Sequence, residues 1–244
     1  MARYKLTLCY DGSEYYGFQR QPDLPTVQNA LEEALATRFQ EKIIVQASGR
    51  TDAGVHAIAQ VIHFDTDKKF DTSTFGYSLN TLLPKDIAIT SCEKVDDDFH
   101  ARFDAKSKTY LYKICLSKIH SPLKRRYCHI CFYDLDISKM KYACKYFIGQ
   151  HDFRAFMLAD EEKENTVREI YSLKVDQSDD ELDIWISGNG FLHNMVRIIA
   201  GTLIDVGRGR IAVEDIPQII DSKKHVGTGK TLEPCGLYLY KVEY

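Results

Sequence analysis

One short segment combines residue types that could do chemistry. Residues 49–57 read Gly-Arg-Thr-Asp-Ala-Gly-Val-His-Ala and lie between two apolar stretches with the character of strands. Arg50 precedes the carboxylate of Asp52 by two residues, and His56 follows it by four. A carboxylate beside a cation stays ionised at neutral pH, as a nucleophile or general base must. The segment therefore indicates either a catalytic loop or a capped turn with a surface ion pair.

A second group has the composition of a metal site. Cys128, Cys131, Cys144 and His151 could form a Cys3His zinc site. However, Cys144 falls on the apolar face of a predicted helix, where a small buried thiol is ordinary. Cys128 and Cys131 stand three apart in a strand-like run, so their side chains should point to opposite faces. A zinc-dependent nucleic-acid-binding module stays an alternative, but we expect no metal.

Residues 227–231, Gly-Thr-Gly-Lys-Thr, resemble the end of a phosphate-binding P-loop. The full pattern requires a glycine five residues before Gly229, where Lys224 stands. Pro234 would also block the helix that should follow. We therefore predict no nucleotide-binding role for this segment.

Charge is unevenly distributed along the chain. The 32 basic and 35 acidic residues give a net charge of −3, which alone argues weakly against a nucleic-acid partner. Residues 105–126 nevertheless contain no acid, and acids cluster at 96–98, 160–162 and 179–181. This pattern indicates one basic face on an otherwise acidic protein, or solvated charge runs without a partner. The basic residues of the stretch are Lys106, Lys108, Lys113, Lys118, Lys124, Arg125 and Arg126.

Length and composition limit the class of protein. The 244 residues, 44% of them hydrophobic, suit one large or two small domains with a core of their own. No apolar run reaches the roughly 18 residues that a transmembrane helix needs, and the first residues lack the pattern of a signal peptide. We therefore expect a cytosolic protein with reduced thiols.

Hydrophobic periodicity predicts the elements that position these residues. The first half reads β-α-β-β-α-β, and the second repeats the theme loosely. We predict an α+β protein with two related halves, residues 1–104 and 105–244, and a loop at 160–165. The predicted strands are 4–10, 43–47, 58–64, 87–92, 108–116, 127–133, 167–175, 182–187 and 237–242; the predicted helices are 27–39, 72–83, 138–147, 191–206 and 213–220.

Taken together, these segments resemble the tRNA pseudouridine synthase A family. Residues 49–57 match the signature loop of that family, and further matches follow in the same order along the chain. They are Tyr10-Asp11-Gly12, Gly17-Phe18-Gln19 with Gln21, Thr26-Val27-Gln28, Gln60, His63-Phe64, Phe99-His100-Ala101-Arg102-Phe103, Tyr110, Tyr112, Gly149, His151-Asp152-Phe153, Phe191 to Arg197, and Gly236-Leu237-Tyr238-Leu239.

The resemblance implies an isomerase without a metal or redox cofactor. Such an enzyme breaks the N1–C1′ bond of a uridine in tRNA, turns the base and rejoins it through C5. The resemblance also implies that the targets are uridines 38, 39 and 40 of the anticodon stem-loop, and that the protein is a homodimer. The fold that it implies is α+β, with two related halves whose mainly antiparallel sheets join across a central basic cleft.

The resemblance also implies roles for single residues. Asp52 matches the catalytic aspartate, which acts as a nucleophile or as a base in a glycal-type route, and Arg197 matches its arginine partner. Tyr110 matches the tyrosine that packs on the target base, Arg50 the residue that helps to open the stem, and Leu237 an apolar residue of the base pocket. Candidate RNA-backbone contacts are Arg20, Arg102, Lys106, Lys108 and Arg154.

Three positions depart from the family pattern. Phe18 stands where tryptophan is frequent, Leu111 where arginine is often found, and Glu233 where an Ala-Pro run is usual. These departures leave the chemistry intact but affect RNA affinity and target choice. Another RNA, such as ribosomal RNA, and a non-catalytic RNA chaperone are the competing functions.

Overall fold

Alternating burial along β1 shows how the chain builds its first sheet. Every second side chain of this strand, from Tyr4 to Tyr10, is buried, as a strand with one covered face requires. The computed structural model describes residues 1–157 and 165–244. The elements are, in chain order, β1 (Ala2–Tyr10), α1 (Val27–Phe39), β2 (Gln46–Ala47), β3 (His56–Thr66), α2 (Thr72–Asn80), β4 (Ile87–Val95), β5 (Ser107–Leu116), β6 (His129–Cys131), α3 (Ile137–Ala143), β7 (Gly149–Asp152), β8 (Val167–Ser178), β9 (Glu181–Gly188), α4 (Met195–Gly207), α5 (Ile216–Ser222) and β10 (Leu237–Glu243).

Contacts divide the chain into two units. The first comprises Met1–Lys106 with Tyr238–Tyr244, and the second comprises Ser107–Leu237. The sequence placed the boundary at 104 and assigned the last residues to the second half. They belong with the first unit instead, because β10 pairs in parallel with β3 through Tyr238 and Leu239.

The first unit is a sheet backed by helices. Its strand order is β4-β1-β3-β10, with β2 added beside β3, and β1 is antiparallel to both β3 and β4. Thr26 caps α1, as predicted, by accepting the Asn29 N–H. Aromatic rings fill the space between this sheet and its helices, with centroids 4.3–6.2 Å apart; they belong to Tyr4, Phe39, Phe64, Phe70 and Phe75.

The second unit carries another antiparallel sheet. Its order is β5-β9-β8-β7, and the short strand β6 runs parallel to β5. The helix α4 is buried on most of its circumference and forms the core of this unit. The α+β class with mainly antiparallel pairing is thereby confirmed for each unit.

Several predicted boundaries were wrong for local reasons. The strand predicted at 43–47 shortens to β2, because the Val45 N–H donates to the Glu32 carboxylate on α1. The helix predicted from 191 begins only at Met195, since Asn194 adopts a left-handed φ of 60°. Asp136, and not Ser138, caps α3. Except for Asn165, the loop predicted at 160–165 lies outside the described residues.

The glycine-rich segment that resembles a P-loop has a packing role. A Cβ on Gly201 of α4 would lie 2.0 Å from the Lys230 carbonyl oxygen, and one on Gly229 would lie 2.3 Å from Gly201 itself. The Gly229 N–H donates to the Thr202 hydroxyl at 2.9 Å. Both glycines therefore allow residues 229–232 to lie directly against α4. The segment is followed by a single 3-10 turn, Pro234–Gly236, and then by β10, so the α-helix that a P-loop requires does not follow it.

This close approach generates a stability prediction. Gly201→Ala should lower the free energy of unfolding by about 1–3 kcal/mol, because the added methyl group forces backbone atoms apart. Gly76→Ala is the matched control: it also lies in a helix, but its nearest neighbours stand 3.5 Å or more away. That change should stabilise by about 0.5–1 kcal/mol. Denaturant unfolding measures both, and equal stability of Gly201→Ala and the wild type would contradict the packing.

Candidate active site

The loop that carries Asp52 is held by a neighbouring segment of the same unit. It connects β2 to β3, and the Phe18 N–H donates to the Thr51 carbonyl at 3.0 Å. The Gly54 N–H donates to the Tyr15 carbonyl at 3.2 Å. Backbone bonds on both sides of Asp52 therefore fix the position of the loop against residues 11–18.

Two glycines make that approach possible. A Cβ on Gly12 would lie 2.0 Å from the Val55 carbonyl oxygen. Gly17, with φ of +90°, would place a Cβ 2.7 Å from the Thr51 carbonyl oxygen. A side chain at either position would push the segment away from the loop.

Buried hydroxyl and amide groups hold the start of the loop. The hydroxyl groups of Tyr10 and Thr51 are hydrogen-bonded at 2.8 Å. Gln60 on β3 accepts from the Ser48 hydroxyl at 2.6 Å and donates to the Gly49 carbonyl at 3.0 Å. Burial raises the pKa of Tyr10 to about 12, so its hydroxyl stays protonated. These neutral bonds fix the loop in a place where water has little access.

His56 acts as a structural brace. Its side chain is 2% exposed, and its Nδ1 accepts the Gly12 N–H at 3.1 Å and lies 3.2 Å from the Asp11 carboxylate. Its ring stacks on Tyr238 of β10 at 4.8 Å. The sequence left open whether His56 contacts RNA or braces the loop, and its burial favours the brace.

The side chains that the loop presents differ from those that hold it. Thr51, Val55 and His56 are buried, whereas Asp52 is partly exposed and Arg50 is exposed. The Asp52 carbonyl also accepts the Val55 N–H at 3.1 Å, which closes a tight turn after the aspartate. The arrangement offers a carboxylate on a rigid backbone, which general-base or nucleophilic chemistry requires.

In the second unit, Tyr110 lies in the sheet. It stands on β5 opposite Ile186 of β9 and is 8% exposed. The edge of the Phe191 ring meets the Tyr110 ring at 5.2 Å and 84°. This edge-to-face contact fixes the plane of the tyrosine ring.

Arg197 is fixed in the first turn of α4. Its Nη1 donates to the Asn194 Oδ1 at 2.5 Å, and its Nε donates to the Leu232 carbonyl at 2.7 Å. Asn194 is the N-cap position of α4, but its side chain makes no capping bond. The arginine thereby joins the start of α4 to residues 232–236, just before Leu237.

Several bonds fix the segment that precedes Leu237. The Tyr112 hydroxyl donates to the Glu233 carbonyl at 2.8 Å, and the Glu233 carboxylate contacts His129. Although burial opposes it, the charge of His129 holds the pKa of Glu233 below its ordinary value. Glu233, the departure from the family pattern, is thus a paired carboxylate. Leu237, at the start of β10, is 6% exposed.

The candidate RNA contacts differ in how exposed their side chains are. Arg102, Lys106 and Arg154 are exposed, and Lys108 is partly exposed. Arg20 is exposed too, but it pairs with the carboxylate of Glu32 and donates to the Asn29 side chain at 3.1 Å. The Glu32 carboxylate would therefore compete with a phosphate group for Arg20.

The basic stretch is partly neutralised, which corrects the expectation of one basic face. Lys113 lies 3.2 Å from Asp183, and Lys118 lies 2.7 Å from Asp134. Lys124 lies between Asp180 and Glu181, at 3.3 and 3.2 Å. Asp180 and Glu181, which the sequence assigned to a separate acidic cluster, therefore pair with lysines of this stretch.

The four residues of the zinc alternative are all described, and no metal geometry joins them. Within residues 1–157 and 165–244, no group of three or more His, Cys, Asp or Glu side chains is placed to bind a metal ion. Cys144, which directly follows α3, instead donates to the Met140 carbonyl of that helix at 3.3 Å.

Among the described helices, none has the length and apolar character required to cross a bilayer.

Comparison with known proteins identifies the family. The model of the tRNA pseudouridine synthase family matches residues 8–104 and 143–244, which include Asp52, Arg197 and Leu237. The chain therefore belongs to the tRNA pseudouridine synthase family, as its motifs predicted. Tyr110 lies between the two matched segments.

Full-length relatives carry a more specific name. Three proteins called tRNA pseudouridine synthase A match nearly the whole chain. That of Caldicellulosiruptor bescii is 45% identical over 239 residues, 98% of each chain, and that of Listeria monocytogenes is 47% identical over 249 residues, 100% of each. That of Bacillus licheniformis is 45% identical over 244 residues, 99% of each. A solved Cbf5–Nop10–Gar1 complex contains a chain with 11% identity and a TM-score of 0.34, over 96% of this chain and 57% of the other; this similarity is too low to add to the assignment.

Sequence reasoning missed the residues that hold the site residues in place. Tyr10 and Gln60 fall in the matched motifs, but their types alone do not show that they support Asp52. Asn194 and Phe191 also stand in a matched motif, and their partners, Arg197 and Tyr110, become apparent only in the fold.

The Tyr10–Thr51 hydrogen bond can be tested by a double-mutant cycle. Tyr10→Phe and Thr51→Val should each lower the free energy of unfolding by about 1–3 kcal/mol, because each leaves a buried hydroxyl group without this partner. The double variant should cost less than the sum of the two. Denaturant unfolding measures the four proteins, and additive losses would mean that the bond does not stabilise the loop.

Proposed function

We propose that this protein isomerises uridine to pseudouridine in the anticodon stem-loop of tRNA, at positions 38, 39 and 40. Membership of the family and the names of the full-length relatives support this activity. The observation that carries the proposal is the loop of residues 48–55, which presents the Asp52 carboxylate on a backbone fixed from both sides.

Asp52 is the proposed catalytic residue. The reaction breaks the N1–C1′ bond of the uridine and forms a bond from C5 of the same base to C1′. C5 loses its proton and N1 gains one, so the atoms balance without a second substrate. The carboxylate acts either as the nucleophile at C1′ or as the base of a glycal-type route. Both require an ionised oxygen at a fixed position, and the bonds from Phe18 and Gly54 limit the freedom of that backbone.

Residues of the second unit are proposed to hold the base. Tyr110 stacks on the target uracil, and the contact with Phe191 supports this role because it fixes the plane of the ring. Leu237 lines the apolar side of the base pocket. Arg197 is the arginine partner of the catalytic carboxylate, and its bonds to Asn194 and Leu232 orient its guanidinium group.

The remaining parts of the proposal concern the RNA and the assembly. Arg50, which is exposed on the loop, helps to open the stem and to fill the space left by the displaced base, whose unpairing costs a few kcal/mol. The exposed Arg20, Arg102, Lys106 and Arg154, with the partly exposed Lys108, contact the RNA backbone. We further propose a cytosolic homodimer that works without a cofactor.

The decisive experiment is incubation of the purified protein with unmodified tRNA transcripts, followed by mapping of pseudouridine at each position. Pseudouridine at 38, 39 or 40 supports the proposal. Ribosomal RNA, incubated in parallel, tests the competing substrate: modification there and not in tRNA would reject the proposed targets.

Substitution of the carboxylate tests its role. Asp52→Asn should lower the rate of pseudouridine formation by roughly a thousandfold or more, because the amide can act neither as nucleophile nor as base. Binding of tRNA and the unfolding transition should persist. The control is Asp23→Asn, an exposed residue with φ of 57° that asparagine also adopts readily. Turnover by Asp52→Asn at the wild-type rate would reject the assignment.

The stacking role of Tyr110 predicts a different pattern. Tyr110→Phe should keep activity, whereas Tyr110→Leu should lower kcat/KM by roughly ten- to a hundredfold, the range expected for the loss of one stacked base. Leucine keeps an apolar side chain in the sheet, so the unfolding transition reports whether packing has suffered. Equal activity of the phenylalanine and leucine variants would rule out stacking.

A further inference from the structure

Phe103 is an exposed aromatic residue for which the proposed catalytic step has no use. It lies in the turn of residues 99–104, which follows β4 in the first unit, and its side chain is 73% exposed. Single exposed apolar side chains are common and need no function. The bonds that hold this particular turn set it apart from an ordinary surface loop.

The centre of the turn is anchored in the core. Ala101 is fully buried, its N–H donates to the Nδ1 of His63 at 3.1 Å, and its carbonyl accepts from the Tyr244 hydroxyl at 2.7 Å. His63 is buried, and burial together with the charge of Arg3 lowers its pKa to about 4. The imidazole is therefore neutral at pH 7 and keeps Nδ1 as an acceptor.

His100 then fixes the residues that follow. Its Nδ1 accepts the backbone N–H groups of Arg102 and Phe103 at 3.1 and 3.3 Å, and the backbone N–H of His100 donates to the Asp104 carboxylate at 2.7 Å. The ring of His100 also packs against the ring of Phe103, with centroids 4.3 Å apart and planes 33° apart. One side of Phe103 is thus supported, while most of its surface stays accessible.

Charges of both signs surround the Phe103 ring. The guanidinium of Arg102 lies 5.8 Å from the centre of the Phe103 ring, within the range of cation–π contacts. Lys106 is exposed three residues after Phe103. Asp104 and the acids at 96–98 are exposed as well. The backbone carbonyl of Asp96 accepts the Phe99 N–H, which joins the acidic residues to the turn. A nucleobase carries no charge, so it can stack on the ring beside these carboxylates while Arg102 and Lys106 contact phosphate groups.

We propose that Phe103, supported by His100 and flanked by Arg102, stacks on an unpaired base of the substrate tRNA other than the target uridine. An aromatic face can reach only a base that is not covered by its neighbours in a duplex, so the base must be unpaired or at the end of a stem. The ring already occupies a fixed position, so little conformational entropy is lost when a base stacks on it. This inference rests on the proposed function, because it takes tRNA as the ligand.

The test measures the dissociation constant of unmodified tRNA for matched variants. Phe103→Leu keeps an apolar side chain without a π-face and should weaken binding roughly tenfold, as the loss of one stacked base predicts. Phe103→Trp should bind at least as tightly as the wild type. Tyr77→Leu, which changes an 82% exposed ring on α2, should leave affinity unchanged. With saturating tRNA, the kcat of Phe103→Leu should equal that of the wild type.

Two further measurements separate stacking from charge. The loss caused by Phe103→Leu should stay constant as salt is raised, whereas the loss caused by Arg102→Gln should shrink, because only a charged contact releases counterions. With a fully base-paired RNA closed by a covalent linker, Phe103→Leu should bind as the wild type does, since no open base face is available.

Several results would overturn the inference. Equal tRNA affinity of Phe103→Leu and the wild type would do so, as would equal weakening by leucine and tryptophan. A changed oligomeric mass of Phe103→Leu with unchanged tRNA affinity would assign the ring to a protein interface. These results leave the proposed function standing if the wild type still makes pseudouridine in tRNA; absence of that product rejects the function separately.

Discussion

The position of the Asp52 loop depends on its close contact with residues 11–18. Apart from the buried Val55, the loop has little apolar surface of its own, so hydrophobic burial contributes little to its position. Backbone bonds at Thr51 and Gly54 fix it, and they require the chain to approach within distances that only Gly12 and Gly17 permit. The buried Tyr10, Gln60 and His56 then secure the two ends of the loop. A change that is distant from the carboxylate in sequence can therefore move it.

In the second unit, close backbone approach at glycines also positions the segment that leads to Leu237. Gly201 and Gly229 bring residues 229–232 against α4, and Arg197 and Tyr112 then bond the carbonyls of Leu232 and Glu233. A single segment thus links the arginine helix to the apolar residue of the proposed base pocket. The Gly-Thr-Gly-Lys-Thr run, which resembles a nucleotide-binding loop, is explained by this packing.

Sequence alone identified the family, the α+β class and most elements, because signature motifs and hydrophobic alternation are local properties. It erred where a distant group decides the outcome. The Glu32 carboxylate accepts the Val45 N–H, and the strand predicted at 43–47 is therefore shorter. The acids at 180, 181 and 183 pair with lysines that the sequence predicted to form one basic face. The C-terminal strand was assigned to the wrong unit, since periodicity shows that a strand exists but does not show its partner. For the same reason, the sequence could not show that Tyr10 and Gln60 support the loop of Asp52.

The parallel pairing of β10 with β3 has a consequence for biosynthesis. Residues 238–244 complete the first unit: Tyr238 stacks on His56, and the Tyr244 hydroxyl bonds the Ala101 carbonyl. The ribosome makes them only after all of the second unit has been translated. While the second unit is being translated, the nascent first unit therefore lacks the strand that pairs with β3 at His56 and Ala57. Its last strand arrives only when translation reaches these residues, so the unit translated first is the later of the two to be completed.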